Sequence, residues 1–302
     1  MPSKAKSLQK RKFFKNKYAV IVFLFPNFLG FMAFSLLPVI STFVLSMFNW
    51  SLLTEPKYVG FKNFTTLFSK DPLFGKVLLN TFNYVIFYVG LNIIISLLLA
   101  VWLNQNRKGM GFFRAMFFIP VLVPPIAFSM IWRWIYAPDF GLLNTVLHCF
   151  GIQGPNWLGD TKAAMAALII TSLMQYIGYN MMIFTAGLQG VNPSLYEAAS
   201  IDGASKITRF FHITLPIISP TIFFVLLTQL IRAFQTFDHV YILTNGGPGS
   251  ATEILGLYLY HNAFIGYKLG YGAAISVIMF VFILAFTILQ LVMQRKWVYY
   301  DG

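Results

Sequence analysis

Asn192-Pro-Ser-Leu-Tyr-Glu-Ala-Ala-Ser-Ile-Asp-Gly-Ala-Ser205, running on to Ile213-Thr-Leu-Pro-Ile217, is where the hydrophobic pattern of this 302-residue chain breaks. Long apolar segments flank it. Asn192 can cap a helix whose first position is Pro193, a residue with no N–H to leave unsatisfied and a φ already suited to a helix. Gly203 is a natural left-handed terminator. The helix between them is about ten residues, roughly 15 Å long. Leu195, Ala198, Ala199 and Asp202 share one face, and the two alanines leave that face flat enough for another surface to come close. So short a helix is marginal alone in water, and it needs something to rest against. A second short helix from Ser205 is expected to end before Leu215-Pro216, where the next apolar segment begins. The residues alone leave two readings open: a helix that docks on another protein, and an amphipathic loop helix lying on lipid.

The chain around this stretch is 58% hydrophobic and 10% charged, with mean hydropathy +0.70. A soluble domain carries about 25% charged residues. So few charges cannot cover a water-facing surface, so the expected class is an all-α integral membrane protein in the lipid bilayer. The 33 Phe, 15 Tyr and 6 Trp suit membrane interfaces. The net charge of +13 does not point to nucleic acid, because the charges fall in loops between apolar runs. Cys149, the only cysteine, can form neither an intrachain disulfide nor a Cys-rich metal site, and its neighbour His148 is a poor co-ligand. No metal site and no catalytic set is expected.

Six spans follow from the apolar runs. A basic arm, 1–17, precedes a first span over about 18–47, too long for the core of a cleaved signal peptide, with kinks expected at Pro26 and Pro38. The second span covers about 77–103. The third, about 112–136, contains Pro120, Pro124 and Pro125, which argue for a broken helix. The fourth is about 161–188, the fifth about 215–237 with Pro216 and Pro220 at its start, and the sixth about 271–293. The domain boundaries are thus the arm 1–17, a transmembrane domain 18–294 that includes the loop 190–214, and a tail 295–302. Two outer loops carry short apolar pieces, Leu142 to Phe150, too short to span, and Glu253 to Phe264, expected as an interfacial helix. Of the 22 Lys/Arg, 14 lie on the arm, in 104–114, in 190–214 or in the tail, against three of the nine acids. The positive-inside rule therefore places both termini and the 190–214 loop in the cytoplasm.

Glu197-Ala-Ala199, Gly203 four residues later, and Ile213-Thr-Leu-Pro216 resemble the EAA loop of permease subunits of bacterial ABC importers. The version here is similar to that of the sugar permeases, the maltose and glycerol-phosphate group. The likeness extends along most of the chain: Phe34 to Trp50, Phe112-Phe-Arg114, Trp132-Arg-Trp134, Pro138-Asp-Phe-Gly-Leu-Leu-Asn144, Trp157-Leu-Gly-Asp160, Gly187-Leu-Gln189 and Thr244-Asn-Gly-Gly-Pro-Gly249. The resemblance implies the type I importer permease fold, with 192–203 as a coupling helix in a cleft of a cytoplasmic ATPase. Tyr196, Glu197, Ala198, Ala199, Asp202, Gly203 and Pro216 would then be the ATPase-coupling residues, with Glu197 paired to a basic residue of that partner. The implied partners are a second homologous permease, two cytoplasmic ATPase subunits and an outer solute-binding protein, and the implied location is the bacterial plasma membrane. This chain has no G-x-x-x-x-G-K-[ST] run. It is therefore expected to bind no cofactor and catalyse nothing, with ATP and Mg held by the partner ATPase.

Polar residues inside spans are candidates for function by default. Gln175, Tyr176 and Asn180 fall in the fourth span. Gln229, Arg232, Gln235 and Asp238 fall in the fifth or at its outer end. This stripe could contact solute, with Tyr176 or Trp132 stacking on a sugar, or it could be a packing network between helices, including contact with a second permease. Arg133, between two tryptophans, reads as an interface anchor. Gly266-x-x-x-Gly270 matches a helix-dimerisation pattern but lies in a loop. The alternatives are a same-fold importer of glycerol-phosphate, a polyol or a peptide; an ion-coupled transporter, which usually needs intramembrane acids and often internal repeats; and an intramembrane enzyme.

Overall fold

A computed structural model describes residues 17–299 apart from 52 and 106. The basic arm over 1–16 and the end of the tail, 300–302, lie outside the described residues. The chain opens with α1 (Lys17–Phe31), a π-helical turn (Met32–Leu36) and α2 (Leu37–Leu45). These form one continuous helix, because the π turn sits just before Pro38, where a missing N–H and the proline ring disturb the regular ladder. A short hairpin follows, β1 (Phe48–Asn49) antiparallel to β2 (Lys57–Tyr58), then α3 (Lys62–Ser69).

The bundle is built on two long helices, α4 (Phe74–Leu103) and α8 (Ala163–Gln189), which share the most extensive helix contact in the chain. Between them in sequence lie α5 (Met110–Leu122), α6 (Pro125–Ile135) and α7 (Leu142–Cys149). α5 and α6 meet at 104°. The prolines dictate the break. Pro124 and Pro125 have no N–H to donate, and a residue before proline is driven out of the α region. Val123 and Pro124 accordingly take ψ of 131° and 137°. The exposed carbonyl of Val123 accepts from Gln175 Nε2 on α8 at 2.8 Å. α5 also lies so close to α8 that a Cβ at Gly178 would sit 1.8 Å from the Phe117 carbonyl oxygen.

After α8 come α9 (Pro193–Ile201), α10 (Lys206–Arg209), a π turn (Phe210–Thr214), α11 (Leu215–Ile217) and α12 (Ser219–Phe234). The helix begun at Ser205 does not stop before Leu215-Pro216. It runs through them and bends by 67° at Ile218. Pro220 sits in the first turn of α12, where its missing N–H costs nothing. The last elements are α13 (Asp238–Leu243), α14 (Leu255–Tyr260), a π turn (His261–Ile265) and α15 (Leu269–Trp297).

α14 corrects the expectation of an interfacial helix. Leu255 and Leu257 are fully buried, and the helix packs on α4 and α15. Asp71 pins this region: one carboxylate oxygen accepts from the hydroxyls of Tyr258 and Tyr271, the other from the backbone N–H groups of Leu73 and Phe74. Burial opposes ionisation of Asp71, but these four donors outweigh it and hold the carboxyl below its ordinary value. Gly270 of the GxxxG pattern lies against the carbonyl of Phe48, where a Cβ would stand at 1.8 Å. Among the described residues four helices are long and apolar enough to cross a membrane (Ile21–Leu45, Phe74–Leu103, Ala163–Gln189 and Leu269–Trp297), and up to six if each bent pair is one span.

Candidate functional site

The stretch 192–217 is mostly exposed from Asn192 to Thr208 and anchored through Tyr196 and from Arg209 onward. Asn192 is extended, and its side-chain oxygen accepts from Ser194 N–H at 3.1 Å. At the other end Gly203 has φ of +77°, and two reversed bonds close the helix: Gly203 N–H to Ser200 O at 3.2 Å and Ala204 N–H to Ala199 O at 2.9 Å. This is the Schellman arrangement. Nothing would crowd a side chain at Gly203, so only its backbone conformation calls for glycine.

Tyr196 is the root. It is half-buried against Leu188, Val191 and Phe210. Its hydroxyl hydrogen-bonds Thr214 Oγ1 at 2.9 Å, and its carbonyl accepts from Arg209 at 3.4 Å. Glu197, Ala198 and Asp202 are exposed, and Ala199 is half-buried. Ile201 is 86% exposed and Ile207 71%. Pro216 lies two residues before the bend at Ile218. The stretch therefore offers water an apolar-and-acidic surface on a fixed base.

The second candidate is a cavity of about 420 Å³ between α4, α8, α12 and α13. Of the residues singled out in the sequence, Tyr176, Arg232, Gln235 and Asp238 line it. The Arg232 guanidinium stands 4.5 Å from the Tyr176 ring centre and 5.6 Å from that of Tyr179. Among the described residues no carboxylate lies within 4 Å of it. Tyr84, Tyr88, Thr228, Thr236 and His239 complete the polar lining. The sequence signal for two of them is Tyr84 and Tyr88, two tyrosines one turn apart on the same helix face in the second span. His239 is held by Ser129 Oγ at 2.7 Å.

Gln175, Asn180 and Gln229 sit behind the cavity wall. Gln175 seals the α5–α6 break, as described above. Gln229 accepts from the Tyr88 hydroxyl at 3.1 Å and donates to Asn180 at 3.0 Å; Asn180 in turn reaches Asn92. Tyr84 donates to Ser172 at 2.9 Å. These bonds join α4, α8 and α12 and set the positions of the two tyrosines that face the cavity. Nearer the end of α6, Arg133, Trp134, Tyr136, Phe140 and Asn156 border a second cavity of about 690 Å³.

The family described as "Binding-protein-dependent transport system inner membrane component" matches residues 92–299. The chain is 36% identical over 298 residues to a probable ABC transporter permease protein, YesP, of Bacillus subtilis, covering 97% of this chain and 96% of that one. It is 35% identical over 295 residues to the arabinooligosaccharides transport system permease protein AraP of the same organism, covering 96% and 93%. Its fold matches a chain of a bacterial alginate ABC transporter, solved in complex with an alginate-bound periplasmic protein, with TM-score 0.84 at 21% identity over 94% of this chain and 96% of that one.

Proposed function

This chain belongs to the family of binding-protein-dependent transport system inner membrane components, the permease subunits of ABC transporters, and we propose that it forms part of the pore of an importer for a sugar or oligosaccharide. Permeases of this family are not enzymes; ATP is hydrolysed by a separate subunit. The observation that carries the solute class is the lining of the 420 Å³ cavity. Aromatic rings suit the C–H faces of a pyranose, and a guanidinium, an amide, a carboxylate and several hydroxyls suit its ring of hydroxyl groups. The arabinooligosaccharide relative agrees with that class. Tyr176, Arg232, Gln235 and Asp238 are the proposed contacts, with Gln175, Asn180 and Gln229 supporting the wall on which Tyr88 stands.

Coupling is proposed to run through α9. Its exposed face, with Glu197, Ala198, Ala199 and Asp202, would sit in a cleft of a cytoplasmic ATPase that holds ATP and Mg. Tyr196 and Pro216 tie that helix to α12, the helix that carries Arg232. A push on α9 would thus reach the cavity through one continuous packed path. A second permease, two ATPases and an outer binding protein complete the proposed assembly in the bacterial plasma membrane, with 190–214 and both termini on the cytoplasmic side.

The test is to purify the chain with its co-expressed partners and screen stimulation of ATPase activity across sugars, with glycerol-phosphate and polyols in parallel, each with the matching binding protein. Stimulation by an oligosaccharide supports the reading. Stimulation by glycerol-phosphate alone transfers the cavity to that solute, and transport by the isolated chain without an ATPase overturns the proposal.

A further inference from the structure

A third cavity, of about 270 Å³, lies where Tyr196 of α9 meets α10, the π turn after it and the ends of α4 and α8. Its polar lining is Asn104, Tyr196, Lys206, Arg209 and Thr214, and its apolar wall is Val101, Leu188 and Phe210. Two cations face into it and no carboxylate does. Lys206 makes no side-chain hydrogen bond or ion pair among the described residues, and Arg209 spends one N–H on the Tyr196 carbonyl. Arg107, Lys108 and Arg114 belong to the adjoining 104–114 segment and Glu197 and Asp202 to α9 and its end, so with Lys206 and Arg209 the cations around the cavity outnumber the acids. Arg114 donates to the Leu103 carbonyl at 2.6 Å and does not line the cavity.

We propose that this cavity binds a phosphate-bearing anion, and that the bound anion steadies the root of α9. An ammonium, a guanidinium and an amide beside the hydrogen-bonded Tyr196–Thr214 hydroxyl pair, with no carboxylate in the lining, are a donor set that suits a phosphate. Basic pockets between membrane helices on the cytoplasmic side are suited to anionic headgroups. The apolar wall of Val101, Leu188 and Phe210 gives room for the glycerol end of a lipid. The bound group would tie Lys206 and Arg209 of α10 to Tyr196 of α9 and Asn104 at the end of α4, bridging elements that otherwise meet through few polar contacts. The inference rests on the cytoplasmic placement of 190–214 but not on the sugar.

The test is native mass spectrometry of the detergent-purified complex, titrated with phosphatidylglycerol, with phosphatidylcholine, and with inorganic phosphate as competitor. Because it reads binding directly, it stands whether or not a transported solute has been found. Phosphatidylglycerol should be retained over phosphatidylcholine, and Lys206→Gln should lower its apparent affinity about fivefold, the worth of one cation near an anionic surface. Arg209→Lys keeps the charge and should retain most of the binding. Lys268→Gln, an exposed lysine elsewhere, should change nothing. Competition by millimolar inorganic phosphate, with the same Lys206 dependence, would assign the site to the free anion; no competition would assign it to the lipid. Equal retention by the wild type and Lys206→Gln, with no effect of phosphate on either, overturns the proposal.

Discussion

The helix α9 and the cavity behind Tyr176 are built in opposite ways. The helix is closed by neighbours: Asn192 caps Ser194 two residues on, and Ala204 reaches back to Ala199 five residues away. Its face with Glu197, Ala198 and Asp202 is left exposed by the described residues. The cavity is closed by strangers: Tyr84 and Tyr88 come from α4, Tyr176 from α8, Arg232 from α12 and Asp238 from α13. Its polar lining faces a volume that several helices surround. A site for another protein can be fixed locally and left bare. A site for a small solute needs several elements to converge on one volume.

This contrast can be broken by substitution. Glu197→Lys should leave the protein inserted and the cavity intact, yet lower solute-stimulated ATPase activity by about 5–150-fold, the span of ordinary coupling energies; unchanged stimulation with normal ATPase docking removes α9 from the coupling path. Arg232→Ala should act from the other side. It should raise the solute concentration needed for half-maximal stimulation by about tenfold, as loss of a charge-assisted hydrogen bond does, while basal ATPase holds. An equal fall in both activities would make Arg232 a packing residue.

Smaller effects sharpen the comparison. Gly178→Ala presses a methyl onto the Phe117 carbonyl and should cost about 1–3 kcal/mol as overpacking, read as a lower thermal midpoint in detergent. Gly203→Ala meets no atom but forces a residue with a Cβ to keep φ of +77°, at about 1 kcal/mol; that loss should appear in coupling before it appears in unfolding. Asp71→Asn tests the staple that joins Asp71 to Tyr258 and Tyr271, outside the linings of both sites. The folded-state pKa of Asp71 is depressed, so its contribution is fully present above the ordinary carboxylate pKa and is lost as pH falls through the folded value. The difference in thermal midpoint between wild type and variant should therefore be present at pH 7 and shrink toward pH 3; a difference that persists at acid pH would mean shape rather than charge holds the staple.

The two sites were unequally legible. Asn192, Pro193 and Gly203 announce α9 because caps depend on side-chain chemistry and φ at single positions. Tyr176, Arg232, Gln235 and Asp238 stood out as polar residues in apolar runs, but the same signal marked Gln175, Asn180 and Gln229, which point into helix contacts. Polarity inside a span shows that a group must be satisfied, without saying whether protein or solute satisfies it. His239 carried no signal, since a residue just past a span end looks like any loop residue, and Thr236 none, since a threonine can satisfy its hydroxyl on the carbonyl one turn back, as it does at Arg232. The course of the fifth segment was misjudged for a related reason. Pro216 reads as a helix start, yet proline is also tolerated within a helix when the preceding turn loosens, as the π turn Phe210–Thr214 does here.

Composition alone determined that this chain lives in a membrane, because 10% charged residues cannot wet its surface. Local spacing determined the capped helix and the breaks ahead of Pro125 and Pro220, while Pro26 and Pro38 lie within one continuous helix. Only the tertiary structure decided the 104° and 67° angles of those breaks, which polar residues meet, and where an open volume remains. Caps and proline effects act within about one helical turn, whereas a cavity is what is left after distant helices have packed, and no single segment contains the information about its neighbours' shapes.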